Sequence, residues 1–273
     1  MASSSSRTVL DQARLAQTLK DVFVLDCHGH IGPSFIHHIP GYDKKGMVQT
    51  MDRLGVDVFC ISGEAGISCD HCVGNDVVAD AVNSYPERYV GYCSINPNHE
   101  EEIADELERC FDTLNLTAIK LHPTFHAYPA DGPNYRPVWE FAARRGCTVL
   151  THSQGGDPNA TPKIFDSIAE KYPQVPIILG HAGNTFSGVE EAVEMAKKHE
   201  NIYLDLNFST FYYGVVEDLV RRVDVRQLIF GSDASWNSMS YLLGIILYAK
   251  ISDSDKIRIL GENAAPLFGI KLK

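Results

Sequence analysis

Eight short apolar runs, rich in β-branched residues, alternate along the chain with longer stretches that carry charge at helical spacing. This alternation is typical of parallel strands joined by crossover helices. It constrains the fold strongly, because parallel strands need connections of about a dozen residues or more. The predicted strands are 22–25, 56–61, 89–95, 117–121, 147–150, 177–179, 202–206 and 227–230.

Eight such strands predict a single-domain α/β protein with the (β/α)₈ TIM-barrel fold, and the length of 273 residues favours the same fold. An open, doubly wound sheet is the alternative, although no glycine-rich dinucleotide-binding sequence follows the first strand. The predicted barrel domain covers 21–273, after a polar segment and lead-in helix at 1–20. A final helix is predicted at 255–267, behind a helix-start signal at 253–255.

Net charge and cysteine content indicate which classes of partner and which cellular compartment to expect. The chain has 35 acidic against 24 basic residues, a formal charge of −11, which repels phosphate backbones and anionic membranes. Residues 1–10 are polar, and no apolar run reaches the roughly 18 residues of a membrane span. Seven scattered cysteines suggest reduced thiols. We therefore expect a cytoplasmic protein with a small-molecule substrate and with neither nucleic-acid nor membrane partners.

Histidines concentrate at the predicted strand ends, where α/β barrels carry their active sites. His28 and His30 follow the first strand, and their spacing in an extended segment points both side chains to one side. The other strand-end segments are Lys120-Leu121-His122-Pro123, Thr151-His152-Ser153, Gly180-His181-Ala182-Gly183-Asn184 and Gly231-Ser232-Asp233. Imidazole and carboxylate groups are typical ligands of zinc and similar metals, so these residues predict a metal centre.

Each of these residues also has an ordinary structural interpretation. The two histidines of a His-x-His pair often hydrogen-bond locally, and Asp233 could cap the segment that follows it. Lys120 could form a structural ion pair, and His122 could hydrogen-bond within its loop. A separate candidate zinc site, Cys69-Asp70-His71-Cys72, has Cys-x-x-Cys spacing, but no second ligand pair follows it, so a loop is favoured there.

The strand-end segments together resemble the amidohydrolase superfamily, in particular its amidohydrolase-related branch (amidohydrolase 2) of metal-dependent hydrolases and decarboxylases. The matching segments occur in order over nearly the whole chain, down to the ending Leu260-Gly261-Glu262-Asn263-Ala264-Ala265-Pro266-Leu267-Phe268-Gly269. The resemblance implies that a metal is bound by His28, His30, His152 and Asp233. It also implies that His181 acts on the substrate or on bound water.

The Lys-x-His-Pro pattern at 120–123 resembles the mononuclear branch, whereas binuclear members use a carboxylated lysine as a bridge. We therefore expect one divalent metal, with Zn²⁺ favoured over Mn²⁺ or another ion. Lys120 would then contact an anionic group of the substrate, with His122 beside it. Two bound metals per chain would instead assign Lys120 to the bridge.

Metal-dependent hydrolysis of a small amide, lactone or ester is the predicted activity. A metal lowers the pKa of bound water, Asp233 would accept the proton of that water, and His181 would stabilise the oxyanion. Non-oxidative decarboxylation of a small unsaturated or aromatic acid is the first alternative, favoured if cationic groups gather over the metal. A barrel that binds a ligand without catalysis is the second. The resemblance also allows a homodimer.

Overall fold

The computed structural model describes residues 8–15, 18–19, 21–34, 38–207 and 212–272 of the chain. Eight parallel strands follow one another around a barrel in sequence order. The strands are β1 Leu25–Ile31, β2 Val58–Gly63, β3 Tyr89–Ser94, β4 Ala118–Leu121, β5 Val149–His152, β6 Ile177–Gly180, β7 Ile202–Asp205 and β8 Leu228–Ile229. Each strand pairs in parallel with the next one along the chain.

Backbone hydrogen bonds between β1 and the segment around the end of β8 bring the two ends of the sheet together. The Cys27 N–H donates to the Phe230 carbonyl over 3.0 Å, and the Asp233 N–H donates to the His28 carbonyl over 2.7 Å. The predicted (β/α)₈ barrel is confirmed, and the open doubly wound sheet is wrong.

Helices surround the barrel, and several begin at a polar cap. Asp43, Asp70 and Thr185 each accept a backbone N–H from the first turn of the helix that follows. The described helices are α1 Val9–Arg14, α2 Lys44–Leu54, α3 Glu64–Ser68, α4 His71–Ser84, α5 Ile103–Asp112, α6 Pro123–His126, α7 Arg136–Arg145, α8 Asp166–Lys171, α9 Phe186–Lys198, α10 Val215–Arg222, α11 Met239–Tyr248 and α12 Asp253–Ile257.

Strand β1 was predicted at 22–25 but begins only at Leu25 and continues to Ile31. Its polar side chains His28 and His30 are at most 3% exposed, so a strand search based on apolar residues ended too early. The pairing with β2 shifts register at a β-bulge that follows Asp26. A bulge changes which side chains face a given side of the sheet. The barrel interior therefore receives Cys27 and His28, which lie within the irregularity, and His30 beyond it.

Two apolar layers lie on either side of the barrel wall. The inner layer fills the barrel below the strand ends and consists of Leu25, Cys27, Val58, Cys60, Tyr92, Ala118, Leu150, Ile178 and Ile229. The outer layer packs between strands and helices and includes Ile119. Because successive side chains alternate along a strand, β4 directs Ala118 and Lys120 inward and Ile119 outward. Lys120 thus lies on the inner apolar layer.

The C-terminal helix predicted at 255–267 is divided in the structure. Helix α12 continues into a π-helical turn at Arg258–Glu262, and a 3₁₀ turn follows at Ala265–Phe268. The Asn263 side chain donates hydrogen bonds to the Val225 and Leu228 carbonyls over 2.7 and 2.8 Å. These long-range bonds anchor the segment to the barrel, and the local helix signals could not predict them.

All seven cysteines are free thiols, and Cys27, Cys60, Cys93 and Cys147 are buried. Within the described ranges, none of the helices combines the length and apolar character that crossing a membrane requires. The cytoplasmic location and the homodimer stay predictions.

Glu106 connects helix α5 to helix α4. Its carboxylate accepts hydrogen bonds from Asn75 Nδ2 and Arg109 Nε, both over 2.7 Å, and Arg109 also reaches Asp76. Burial opposes ionisation, but the hydrogen bonds from Arg109 and Asn75 lower the pKa of Glu106 to about 2. The buried carboxylate is therefore ionised and stabilising at neutral pH.

We expect Glu106→Gln to reduce the free energy of unfolding at pH 7 by roughly 2–3 kcal/mol. The contribution of Glu106 is fully present above its ordinary pKa of 4.5 and is lost as the pH falls through about 2. Urea unfolding of both proteins at pH 7 and pH 3 should show a smaller difference at pH 3. Glu108→Gln, an exposed change on the same helix, is the control. An equal difference at both pH values would contradict this assignment.

Candidate metal centre and substrate cavity

Three of the predicted metal ligands converge at the C-terminal end of the barrel. His30 Nε2 lies 2.9 Å from Asp233 Oδ1, and His28 Nε2 lies 3.5 Å from the same oxygen. The three ligand atoms are all within 4.8 Å of one another, and the three residues are buried. Two imidazoles and a carboxylate are a donor set suited to a divalent first-row metal.

Hydrogen bonds at Nδ1 orient both histidines of β1. His28 Nδ1 lies 2.6 Å from Asp205 Oδ2. Ser62 Oγ donates to the Gly29 carbonyl over 3.2 Å and can accept from His30 Nδ1 over 3.0 Å. With both Nδ1 atoms engaged, both Nε2 atoms are directed at the Asp233 carboxylate. This arrangement would stabilise a bound cation, because the hydrogen bonds at Nδ1 set the ring orientation of each histidine.

Asp205, at the end of β7, was missed by the sequence analysis. It is fully buried beside His28, and Gly231 provides the space: a Cβ there would lie 2.1 Å from Asp205 Oδ1 and 2.9 Å from His28 Cβ. A carboxylate that ends a short apolar strand was the available signal. Ser62 was missed as well, because a serine in a buried strand carries no pattern of its own.

We expect Asp205→Asn to weaken metal binding about 10- to 100-fold, because an amide orients His28 less well and adds less to its basicity. Competition against a chelator measures this affinity. Asp105→Asn, an exposed change on α5, is the matched control. Unchanged affinity in Asp205→Asn would show that Asp205 does not support the metal centre.

Two further carboxyl groups, Asp26 and Asp205, lie fully buried around these residues. Burial raises the pKa of Asp26 to about 7, although hydrogen bonds with Ser232 and His28 oppose the shift. Burial and repulsion from Asp26 and Asp233 raise the pKa of Asp205. One oxygen each of Asp26 and Asp205 is buried without a hydrogen-bond partner. A divalent cation would stabilise the ionised form of these carboxyl groups, so the residues present fit a bound metal.

Lys120 places a buried amine in the same group. Its side chain is 1% exposed, and Nζ lies 2.7 Å from His28 Nε2. Burial lowers the pKa of Lys120 from 10.5 to about 8, while the charges of Asp233 and Asp205 raise it. At neutral pH the group is mostly an ammonium, and it competes with a metal for the lone pair of His28.

Lys120 is the cationic residue of this cavity. No other lysine or arginine of the described ranges lines it. Arg53 is exposed, and Arg136 is 68% exposed and lies 3.5 Å from Glu140. The cationic group that would distinguish an acid substrate from a neutral one is therefore present as a single buried lysine.

The remaining predicted histidines line the cavity around this group. His181 Nδ1 lies 3.0 Å from the Asn207 carbonyl oxygen. A carbonyl oxygen only accepts hydrogen bonds, so Nδ1 carries the hydrogen. The Nε2 atom is then the unprotonated nitrogen that is available in the cavity. The ring of His152 lies 4.8 Å from that of His181. His152 Nδ1 is buried without a hydrogen-bond partner, outside the group of three ligand atoms. Metal ligation by His152 stays a prediction.

The backbone is left-handed at two of these residues. His181 has φ 63° and Asp233 has φ 57°, a region that costs most non-glycine residues about 1 kcal/mol or more. Such conformations concentrate at functional sites, where the surrounding structure imposes them. The turns after β6 and β8 thereby present both side chains to the cavity.

Aromatic rings form the walls of a cavity of about 200 Å³. His122 stacks on Phe125 at 4.0 Å and on His152 at 4.3 Å, with the planes within 10° of parallel. Phe125 N–H donates to His122 Nδ1 at the start of α6, which holds the stack in place. Trp236 lies 6.3 Å from Phe125 and donates its indole N–H to Glu64. The cavity therefore suits a flat ligand.

A family model described as Amidohydrolase (Amidohydro_2) matches residues 25–270. The chain belongs to this family. A gamma-resorcylate decarboxylase from Rhodococcus jostii is 21% identical over 245 residues, covering 71% of this chain and 74% of that protein. A 2-amino-3-carboxymuconate-6-semialdehyde decarboxylase from Dictyostelium discoideum is 24% identical over 133 residues, covering 41% and 37%.

Among solved structures, a dihydroxybenzoic acid decarboxylase from Polaromonas sp. JS666 has the same fold. It superposes with a TM-score of 0.67 at 18% identity, covering 90% of this chain and 97% of that one. That protein contains bound manganese and the inhibitor 2-nitroresorcinol.

The prediction of hydrolysis as the main activity is wrong, because these named relatives are decarboxylases. The error has a physical cause. A metal held by histidine and aspartate can activate water or can bind a carboxylate, and the ligand motifs are the same in both cases. The cavity around the candidate ligands can favour one reaction over the other, and the motifs do not describe that cavity.

Proposed function

We propose that the protein is a metal-dependent, non-oxidative decarboxylase of a small aromatic carboxylic acid. The observation that carries this proposal is the buried ammonium of Lys120 beside the His28, His30 and Asp233 group, in a cavity with aromatic walls. The aromatic walls suit an aromatic ring, and the ammonium suits its carboxylate. The named decarboxylases among the relatives support the same reaction class.

The ligand set proposed for the metal is His28, His30 and Asp233, with His152 as a fourth ligand. When bound, a divalent metal such as Mn²⁺ or Zn²⁺ supplies Lewis-acid charge for the oxygen atoms of the substrate. Lys120 adds a second positive charge on the substrate carboxylate. The ring of the substrate would pack against His122 and its stacked neighbours.

Decarboxylation breaks the bond between the ring carbon and the carboxylate carbon. CO₂ leaves, the electron pair stays on the ring carbon, and a proton must take its place there. Burial lowers the pKa of His181, although the charge of Asp233 opposes the shift, so the ring is neutral at pH 7. His181 Nε2 can therefore take a proton from a substrate hydroxyl or from solvent and deliver it to the ring carbon.

Asp233 is assigned to metal binding in this reaction. Burial raises its pKa, but the contact with His30 and the charge of Lys120 help to outweigh burial and lower it. An ionised carboxylate is a good ligand and a poor proton donor. The earlier role of Asp233, accepting the proton of a nucleophilic water, belongs to the hydrolysis that the relatives contradict.

The test is release of labelled CO₂ from a panel of carboxyl-labelled hydroxybenzoates by protein loaded with Mn²⁺ or Zn²⁺. Parallel assays with small esters, amides and lactones measure hydrolysis. We expect CO₂ release that depends on the metal and is absent in the His28→Ala/His30→Ala double variant. Hydrolysis without CO₂ release would overturn the proposal, and tight ligand binding without turnover would favour a binding barrel.

A further inference from the structure

A second group of metal-ligating side chains lies outside the substrate cavity. One donor atom each of His71, Cys72 and Glu102 lies within 4.8 Å of the other two. His71 and Cys72 form the first turn of α4, and Glu102 ends the 3₁₀ turn that precedes α5. Of the loop expected at 69–72, only Cys69 and Asp70 lie between helices, and the Asp70 side chain caps the helix that His71 begins.

The spacing of these donors suits a shared ion. His71 Nε2 lies 3.5 Å from Glu102 Oε2, and His99 Nδ1 lies 3.8 Å from the same oxygen. Nitrogen and oxygen ligands about 2.0–2.1 Å from a tetrahedral zinc ion are separated by roughly 3.3 Å. Only small movements would bring these atoms to bonding distance. His99 therefore provides a fourth donor beside the group of three.

His71 supplies the observation that points to a ligand. The residue is 2% exposed, and its Nε2 atom is buried without a hydrogen-bond partner. An unsatisfied buried polar atom costs free energy, which a bound cation would offset. The neighbouring side of the group is open, because the Glu102 side chain is 49% exposed and the His99 side chain is 46% exposed. An ion can therefore reach His71 from solvent.

The nearby carboxylate of Glu106 is not the carboxylate ligand expected in this group. Its oxygens already accept hydrogen bonds from Asn75 and Arg109. Among the described residues, Glu102 has no such cation beside it, and its close charged-group neighbours are His71 and His99. Its carboxylate is thus available to a metal.

We propose that His71, Cys72, Glu102 and His99 form a second metal site that binds Zn²⁺. Thiolate and imidazole ligands favour zinc over harder ions such as Mn²⁺. Four protein ligands make a closed site, which is typical of a structural metal. The ion would join the start of α4 to the connection between β3 and α5. It would thereby support α3, which packs on α4 and places Ile67 in the substrate cavity.

Cobalt titration of the full-length protein tests this site independently of catalysis. Co²⁺ bound to a thiolate shows an intense near-ultraviolet charge-transfer band, which a centre of nitrogen and oxygen ligands lacks. We expect the band in the wild type and its loss in Cys72→Ser. Cys69→Ser is the matched control, because Cys69 is an exposed cysteine three residues earlier, and it should retain the band.

The His28→Ala/His30→Ala double variant should also retain the band, which separates this site from the proposed decarboxylase centre. Glu102→Gln, a change at an exposed side chain, should weaken Co²⁺ binding at the thiolate site at least about tenfold, given the loss of a charged ligand. Circular dichroism checks that each variant is folded. No band in the wild type at two equivalents of Co²⁺, or a band that persists in Cys72→Ser, would overturn the proposal.

Discussion

Asp233→Asn is expected to lower the rate of decarboxylation about 10³-fold and to abolish metal binding by the group of His28, His30 and Asp233. The carboxylate faces both His28 Nε2 and His30 Nε2, at 3.5 and 2.9 Å, and it is the charged member of the three. A neutral amide of the same shape keeps the packing but removes the charge that holds a divalent ion. Loss of the metal removes several kcal/mol of stabilisation of developing charge.

Metal content per chain and labelled CO₂ release, measured on the same preparations, check this prediction. The exposed change Asp105→Asn is the control, since it removes one carboxylate from the outer surface of α5 and nothing from the barrel. Full metal content and full activity in Asp233→Asn would remove Asp233 from the ligand set. Full metal content with lost activity would instead indicate that Asp233 takes part in proton transfer.

Lys120→Met is expected to lower kcat/KM for an aromatic acid about 10²- to 10³-fold without loss of metal. Removing one member of a buried charge pair costs roughly 2–5 kcal/mol of binding, and here the other member is the carboxylate of the substrate. The same substitution removes the ammonium that lies 2.7 Å from His28 Nε2. Metal affinity should therefore equal or exceed that of the wild type.

Opposite changes in activity and metal affinity distinguish this role from simple damage to the fold. Lys197→Met, an exposed change on α9, should alter neither property. Lower metal affinity in Lys120→Met would show that the lysine supports the metal, as a bridging ligand would. Unchanged kcat/KM would show that the substrate carboxylate does not contact Lys120.

The pH dependence of the free energy of unfolding provides a second test of Lys120. Its pKa of about 8 lies below the ordinary value of 10.5, so between these values the folded protein binds fewer protons than the unfolded chain. The free energy of unfolding of chelator-treated wild type should therefore rise from about pH 8 to pH 10.5, relative to Lys120→Met. A constant difference between the two proteins over this range would contradict the lowered pKa.

The alternation of apolar runs and helical segments was sufficient to predict the barrel, because each run forms a buried parallel strand. It failed at β1, where buried side chains are polar, and at the C-terminal helix, where Asn263 bonds to distant carbonyls. Apolar patterning detects burial only where the buried residues are apolar. Apolar patterning therefore does not detect a strand whose buried side chains are the polar ligands of a site.

The candidate ligands were predictable because barrel topology brings all strand ends to one face. Their partners were not, since no local signal connects His28 with Asp205, which lies 177 residues away, or with Lys120, which lies 92 residues away. The reaction class was also beyond the motifs. The proposed decarboxylation rests on the stacked rings and the buried ammonium, which belong to loops and strands from different parts of the chain.

By itself, the sequence determined the barrel, the family and the set of histidines and aspartate from which a metal centre could be built. These follow from the order of residues within each βα unit, which local chain geometry dictates. Tertiary structure alone decided which nitrogen of each histidine faces the centre, that Lys120 competes for one of them, and that Glu102 meets His71. Such contacts exist only once the barrel closes and brings together side chains from distant parts of the chain.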